Sequence, residues 1–113
     1  MQIIIATLIA AASLMAASSS LATDMPELVK KNNCTACHAI DKKVIGPSFA
    51  DIARKYKSIS NARAMLATKI IKGGGGVWGA MPMPPYPRLG ETDAAALAGF
   101  VLNEGNLHIA NMK

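Results

Sequence analysis

The stretch NNCTACHAI, residues 32–40, holds both cysteines of the chain and one of its two histidines. Cys34, Cys37 and His38 stand at i, i+3 and i+4, so on a helix all three share one face. Two thiols and an imidazole spaced in this way fit three chemistries. They can form a redox pair, contribute part of a metal site, or anchor a flat cofactor by its edge while the imidazole points at its centre. The sequence on either side of the motif discriminates among them.

Upstream, residues 3–17 (IIIATLIAAASLMAA) carry no charge, and Ser20-Leu21-Ala22 fits a small-x-small cleavage site. Residues 1–22 therefore read as a secretory signal peptide, although no Lys or Arg precedes the apolar core. The run is shorter than the ~20 residues that a membrane-spanning helix needs. Cleavage after Ala22 leaves 113 − 22 = 91 residues, a single domain over 23–113. A chain of that size has a thin core and often needs a staple, a metal or a cofactor. Export also implies an oxidising compartment, in which a lone thiol pair would need explaining. All twelve basic and seven acidic groups lie beyond the leader, so the net charge stays 12 − 7 = +5. With no dense basic run, that charge points to an acidic protein surface or anionic lipid and away from nucleic acid.

Downstream, the segments read as short helices joined by loops. Thr23 or Asp24 caps a first helix that runs through Leu28 and Val29 towards the cysteines. Ser48 caps a second over Phe49–Tyr56, with Phe49, Ile52, Ala53 and Tyr56 on one stripe. Ser60 caps a third over Ala62–Lys72, where Met65, Leu66, Lys69 and Ile70 repeat at helical spacing, and Gly73–Gly76 ends it. Residues 77–90, VWGAMPMPPYPRLG, contain Pro82, Pro84, Pro85 and Pro87 and so form a rigid extended loop, not a helix or a central strand. Thr92 caps the last helix, Ala94–Glu104, on which Leu97, Phe100, Val101 and Glu104 share a face, and Gly105–Lys113 reads as a loosely ordered tail. No segment alternates as an exposed strand does. The fold class is all-α.

That context separates the three chemistries. Structural zinc needs four ligands, and only His108 remains to join this motif. A thioredoxin-like pair belongs at the end of a strand in an α/β pattern. A disulfide within CxxC closes too small a loop to stabilise much. Covalent haem attachment fits best, with two thioethers to the cysteines and His38 Nε2 directed at iron. For the other axial position, Met25 lies too near the cysteines, Met65 reads as core filler, and Met112 is at the end of the tail. Met81 and Met83 remain, both on the proline-rich loop. Two residues apart in an extended chain, they point the same way, so spacing does not separate them. His108 is a weaker alternative.

The segments CTACHAIDKKVIGPSFADIARKY and GVWGAMPMPPYP resemble the small bacterial class I monohaem cytochromes c, the c-551/c-552 group, and the resemblance runs from about Glu27 to Leu102. It implies a cytochrome c fold of about four short helices wrapped around one haem c bound through Cys34 and Cys37, with His38 as the proximal ligand and Met83 as the distal one. It implies that Pro47 packs beside His38, that a neighbouring carbonyl takes the Nδ1 hydrogen, that the Trp78 indole reaches a haem propionate, and that Lys69 contacts one. Phe100 matches the aromatic where the first and last helices cross. In three places the chain departs from the family. Asn33 replaces a usual glycine, Tyr86 stands where asparagine often bonds near the methionine sulfur, and the chain runs past the usual end of the last helix.

The expectation that follows is a monomeric periplasmic carrier of single electrons, not an enzyme. Its donor would be a complex such as cytochrome bc, and its acceptor a terminal oxidase, a nitrite reductase or a haem peroxidase. The +5 charge would steer it to acidic docking surfaces through a small, short-lived interface that salt weakens. A haem enzyme or gas-binding protein and a thiol oxidoreductase are the two competing classes.

Overall fold

The computed structural model describes residues 25–112. The predicted leader and the predicted Thr23 or Asp24 cap lie outside the described residues. Four α-helices follow in order: α1 (Met25–Lys31), α2 (Phe49–Lys55), α3 (Ala62–Lys72) and α4 (Glu91–Asn111). A single 3-10 turn, Cys34–Ala36, carries the cysteine motif. Among the described residues the only bridge pairings are isolated, His38 with Lys43 and Gly74 with Met83. The protein has the all-α architecture expected.

Local chemistry accounts for most of the boundaries. The Ser48 hydroxyl accepts the Asp51 N–H at 3.0 Å and so caps α2. α3 begins after Asn61, not Ser60, and Asn61 makes no side-chain cap bond. Gly73 ends α3 with φ 66°, a left-handed conformation that L side chains avoid, and its N–H returns to the Lys69 carbonyl at 2.7 Å. α4 starts at Glu91, one residue before the predicted Thr92 cap, with Gly90 at the N-cap.

The largest departure is the C-terminus. The predicted loose tail is helical to Asn111. Gly105 explains it, because this residue is buried where α4 crosses α2. A Cβ at Gly105 would collide with the Phe49 carbonyl and lie 2.7 Å from the Ala53 Cβ. A glycine that costs helix propensity in isolation here permits close contact between two helices, and that packing keeps the helix going.

α4 packs across α2 and α3 and meets α1 near its start. Leu28 and Val29 of α1 bury against Leu97, with Phe100 beside them. Ala67 of α3 buries against Ala94 and Ala98. Among the described residues eleven apolar side chains are buried and six of them are alanine, so the core they form is thin. Met65, expected as core filler, is instead exposed, because the buried stripe of α3 runs through Ala62 and Ala67. No helix of the described residues is long and apolar enough to cross a membrane.

Candidate functional site

The helices and the proline-rich loop enclose a largely apolar cavity of about 300 Å³. Cys34, Cys37 and His38 line it, as do Met81 and Met83, Trp78, Lys69 and Pro47. These eight residues, all singled out from the sequence, therefore line one space, although they come from four separate stretches of chain.

The cysteine motif is a 3-10 turn, not a continuous α-helix. The Cys34 carbonyl accepts both the Cys37 N–H at 3.2 Å and the His38 N–H at 3.0 Å, and this closes the turn and keeps the three side chains together. Asn33 precedes it at φ 55°, the one non-glycine residue with positive φ among those described. That conformation explains both the glycine usual at this position and why asparagine, which tolerates the left-handed region better than most residues, can stand in for it. Both thiols are free and half-buried. Burial pushes the Cys34 thiol above its ordinary range, with a further rise from Cys37.

His38 is held from several sides. Its Nδ1 lies 2.7 Å from the carbonyl oxygen of Pro47 itself, which fixes Nδ1–H as the donor and leaves Nε2 as the free basic nitrogen. Phe49 stacks on the imidazole, with centroids 5.9 Å apart and planes at 29°, and Phe100 meets Phe49 edge-on at 6.2 Å. Gly46 provides the remaining clearance, since a Cβ there would lie 2.6 Å from His38 Cε1. The need for glycine at 46 did not stand out in the sequence, because it arises from a ring eight residues earlier.

Met83 sits on the opposite stretch. Its N–H and C=O pair with Gly74 at 2.9 and 3.0 Å, which pins the loop to the end of α3. Gly73 leaves no room for a side chain there, since a Cβ would lie 2.5 Å from the Met83 carbonyl oxygen and 2.7 Å from the Pro85 nitrogen. Met81 lines the same cavity but is 68% exposed, whereas Met83 is half-buried. Trp78 stands at the margin, with the Lys55 ammonium 5.3 Å above its ring, a cation–π contact absent from the sequence reading. Lys69 is half-buried, and its ammonium lies 3.3 Å from where a Cβ of Gly74 would be. Tyr86 donates its hydroxyl to the Asn32 carbonyl at 3.0 Å, so it reaches back to the cysteine segment. Burial raises its phenol above the usual range, with Cys34 and Cys37 adding to the rise.

This donor set suits a flat, covalently anchored, iron-bearing group: an apolar slot, two adjacent thiols at one edge, an oriented imidazole and thioethers on the far loop. Among the described residues no three His, Cys, Asp or Glu side chains gather as a metal cage would require. The cytochrome c family model matches residues 23–104. The chain is a member of the cytochrome c family. It is 50% identical over 76 residues to cytochrome c-552 of Nitrosomonas europaea, covering 67% of this chain and 74% of that one. It is 41% identical over 98 residues to cytochrome c-551 of Pseudomonas aeruginosa, covering 87% and 92% of the two chains. The crystal structure of wild-type N. europaea cytochrome c552 superposes with a TM-score of 0.66 at 49% identity, covering 69% of this chain and 96% of that one. The cofactor of this family is covalent haem c with its iron, and its members are electron carriers.

Proposed function

We propose that this cytochrome c is a periplasmic single-electron carrier whose haem is bound through Cys34 and Cys37 and ligated by His38 and Met83. When bound, haem supplies iron that cycles between two valences one electron at a time. The observation that carries the reading is the His38 Nδ1 bond to the Pro47 carbonyl, which orients Nε2 and makes it a stronger donor. Met83 is preferred to Met81 because it is half-buried and doubly bonded to Gly74, whereas Met81 is largely exposed. With both axial positions filled by protein, substrate has no access to the metal, and the function is electron transfer and not catalysis. A thioether ligand and an apolar slot both favour the reduced state. Trp78 and Lys69, at the cavity margin, are assigned to the propionates. The +5 charge steers this monomeric carrier to acidic surfaces of respiratory donors and acceptors. A donor of the cytochrome bc type and an acceptor such as a terminal oxidase, a nitrite reductase or a haem peroxidase fit that role.

The test is a reduced-minus-oxidised absorption spectrum of protein matured in a periplasm, repeated after denaturation and solvent extraction. Haem that resists extraction supports attachment at Cys34 and Cys37. A weak far-red sulfur-to-iron band in the oxidised protein, lost in Met83→Ala and kept in Met81→Ala, supports Met83. Carbon monoxide binding to the reduced wild type at neutral pH would count against a filled sixth position.

A further inference from the structure

Tyr86 joins three parts of the fold. Its hydroxyl donates to the Asn32 carbonyl at 3.0 Å, across 54 residues of sequence. Asn32 follows α1 and lies two residues before Cys34. The Tyr86 N–H is shared by the carbonyls of Ile70 and Ile71, at 3.2 and 3.0 Å, in the last turn of α3. Three residues earlier, Met83 pairs with Gly74 just past the same helix. Between Met83 and Tyr86 lie only Pro84 and Pro85, whose rings fix φ and leave little slack. Movement of Tyr86 is therefore transmitted to Met83. Among the described residues, the hydroxyl makes the one hydrogen bond between this loop and the segment that carries the cysteines.

We infer that Tyr86 is a positioning residue for Met83, its hydroxyl clamping the methionine loop to the cysteine segment and limiting how often Met83 leaves the iron. The inference rests on Met83 as the axial ligand. Tyr86→Phe keeps the ring and both backbone bonds and removes only the clamp. The freed Asn32 carbonyl is part-buried, so its bond is not fully replaced by water.

The experiment uses the oxidised, haem-loaded protein titrated with imidazole at pH 7. Imidazole binds only when Met83 is off the iron, so its apparent affinity scales with the open fraction. A hydrogen bond of ordinary net worth changes that fraction by about fivefold, and Tyr86→Phe should tighten imidazole binding by that factor. Ala64→Gly, at an exposed position of α3 that does not line the cavity, should lower the melting temperature through lost helix propensity and leave imidazole affinity unchanged. Equal affinity in wild type and Tyr86→Phe overturns the clamp, and so does equal tightening in Ala64→Gly, which would mark a general loss of stability. Absence of the far-red sulfur-to-iron band in the wild type overturns the Met83 reading itself, and the clamp with it.

Discussion

At Gly46 the clearance beside the His38 imidazole is less than a methyl group. Gly46→Ala would put carbon 2.6 Å from His38 Cε1, while the bond from Nδ1 to the Pro47 carbonyl restrains the ring. Either the ring turns or the backbone moves. Overpacking of this kind costs ~1–3 kcal/mol, so the loaded variant should unfold at lower denaturant, with a changed reduction potential by voltammetry. A variant that matches wild type on both counts would show that the ring has room. Cys34 provides a second check, in the cofactor-free chain. Burial raises its thiol, with Cys37 adding to the rise, so less of it is thiolate at neutral pH. Iodoacetamide should modify Cys34 more slowly in the folded chain than in denaturant at the same pH, as read by peptide mass spectrometry. Equal rates would contradict the burial.

At the scale of elements, two glycines of α4 behave oppositely. Gly105→Ala would drive a methyl into the Phe49 carbonyl and the Ala53 side chain, both held by the body of α2. Because Phe49 stacks on His38, the displacement reaches the site as well. Gly99→Ala would meet only the Arg63 side chain, whose Nε lies 3.2 Å away and donates an exposed bond to the Ala95 carbonyl, so a shift of a few tenths of an ångström relieves the contact. Circular-dichroism melts should show Gly105→Ala destabilised by ~2 kcal/mol or more and Gly99→Ala within ~0.5 kcal/mol of wild type, since alanine gains helix propensity there. The reverse ranking would refute the crossing. The same helix marks the limit of sequence reading. Ser48 was legible as a cap because its partner is three residues away. The α3 stop at Gly73 was legible because a glycine run interrupts a helix by itself. The continuation past Gly105 was not, since it depends on α2, fifty residues earlier. The site divides similarly. Cys34, Cys37 and His38 are a local pattern, and Met83 needed a family resemblance to separate it from Met81. The clearance at Gly46, the reach of Tyr86 to Asn32 and the Lys55–Trp78 contact exist only once distant segments meet.

For the whole molecule, the net charge of +5 bears on encounter and the cavity bears on stability. Twelve basic groups against seven acidic ones should make association with an acidic redox partner fall with ionic strength. Stopped-flow reduction is expected to slow by about an order of magnitude between low and physiological salt, and a flat response would remove electrostatic steering. The cavity walls are themselves core residues: Val29, Phe49, Ile52, Leu97 and Ala98 are buried and also line it. Filling the slot therefore completes a core that the described residues, with six alanines among eleven buried apolar side chains, supply only in part. A chain that has not acquired its cofactor spends more time open, and open chains are what proteases cut. Brief proteolysis of a mixture should destroy the unloaded form and spare the loaded one. Surviving copies would then be functional copies, and the cell's stock of carriers would follow its haem supply as closely as its rate of synthesis.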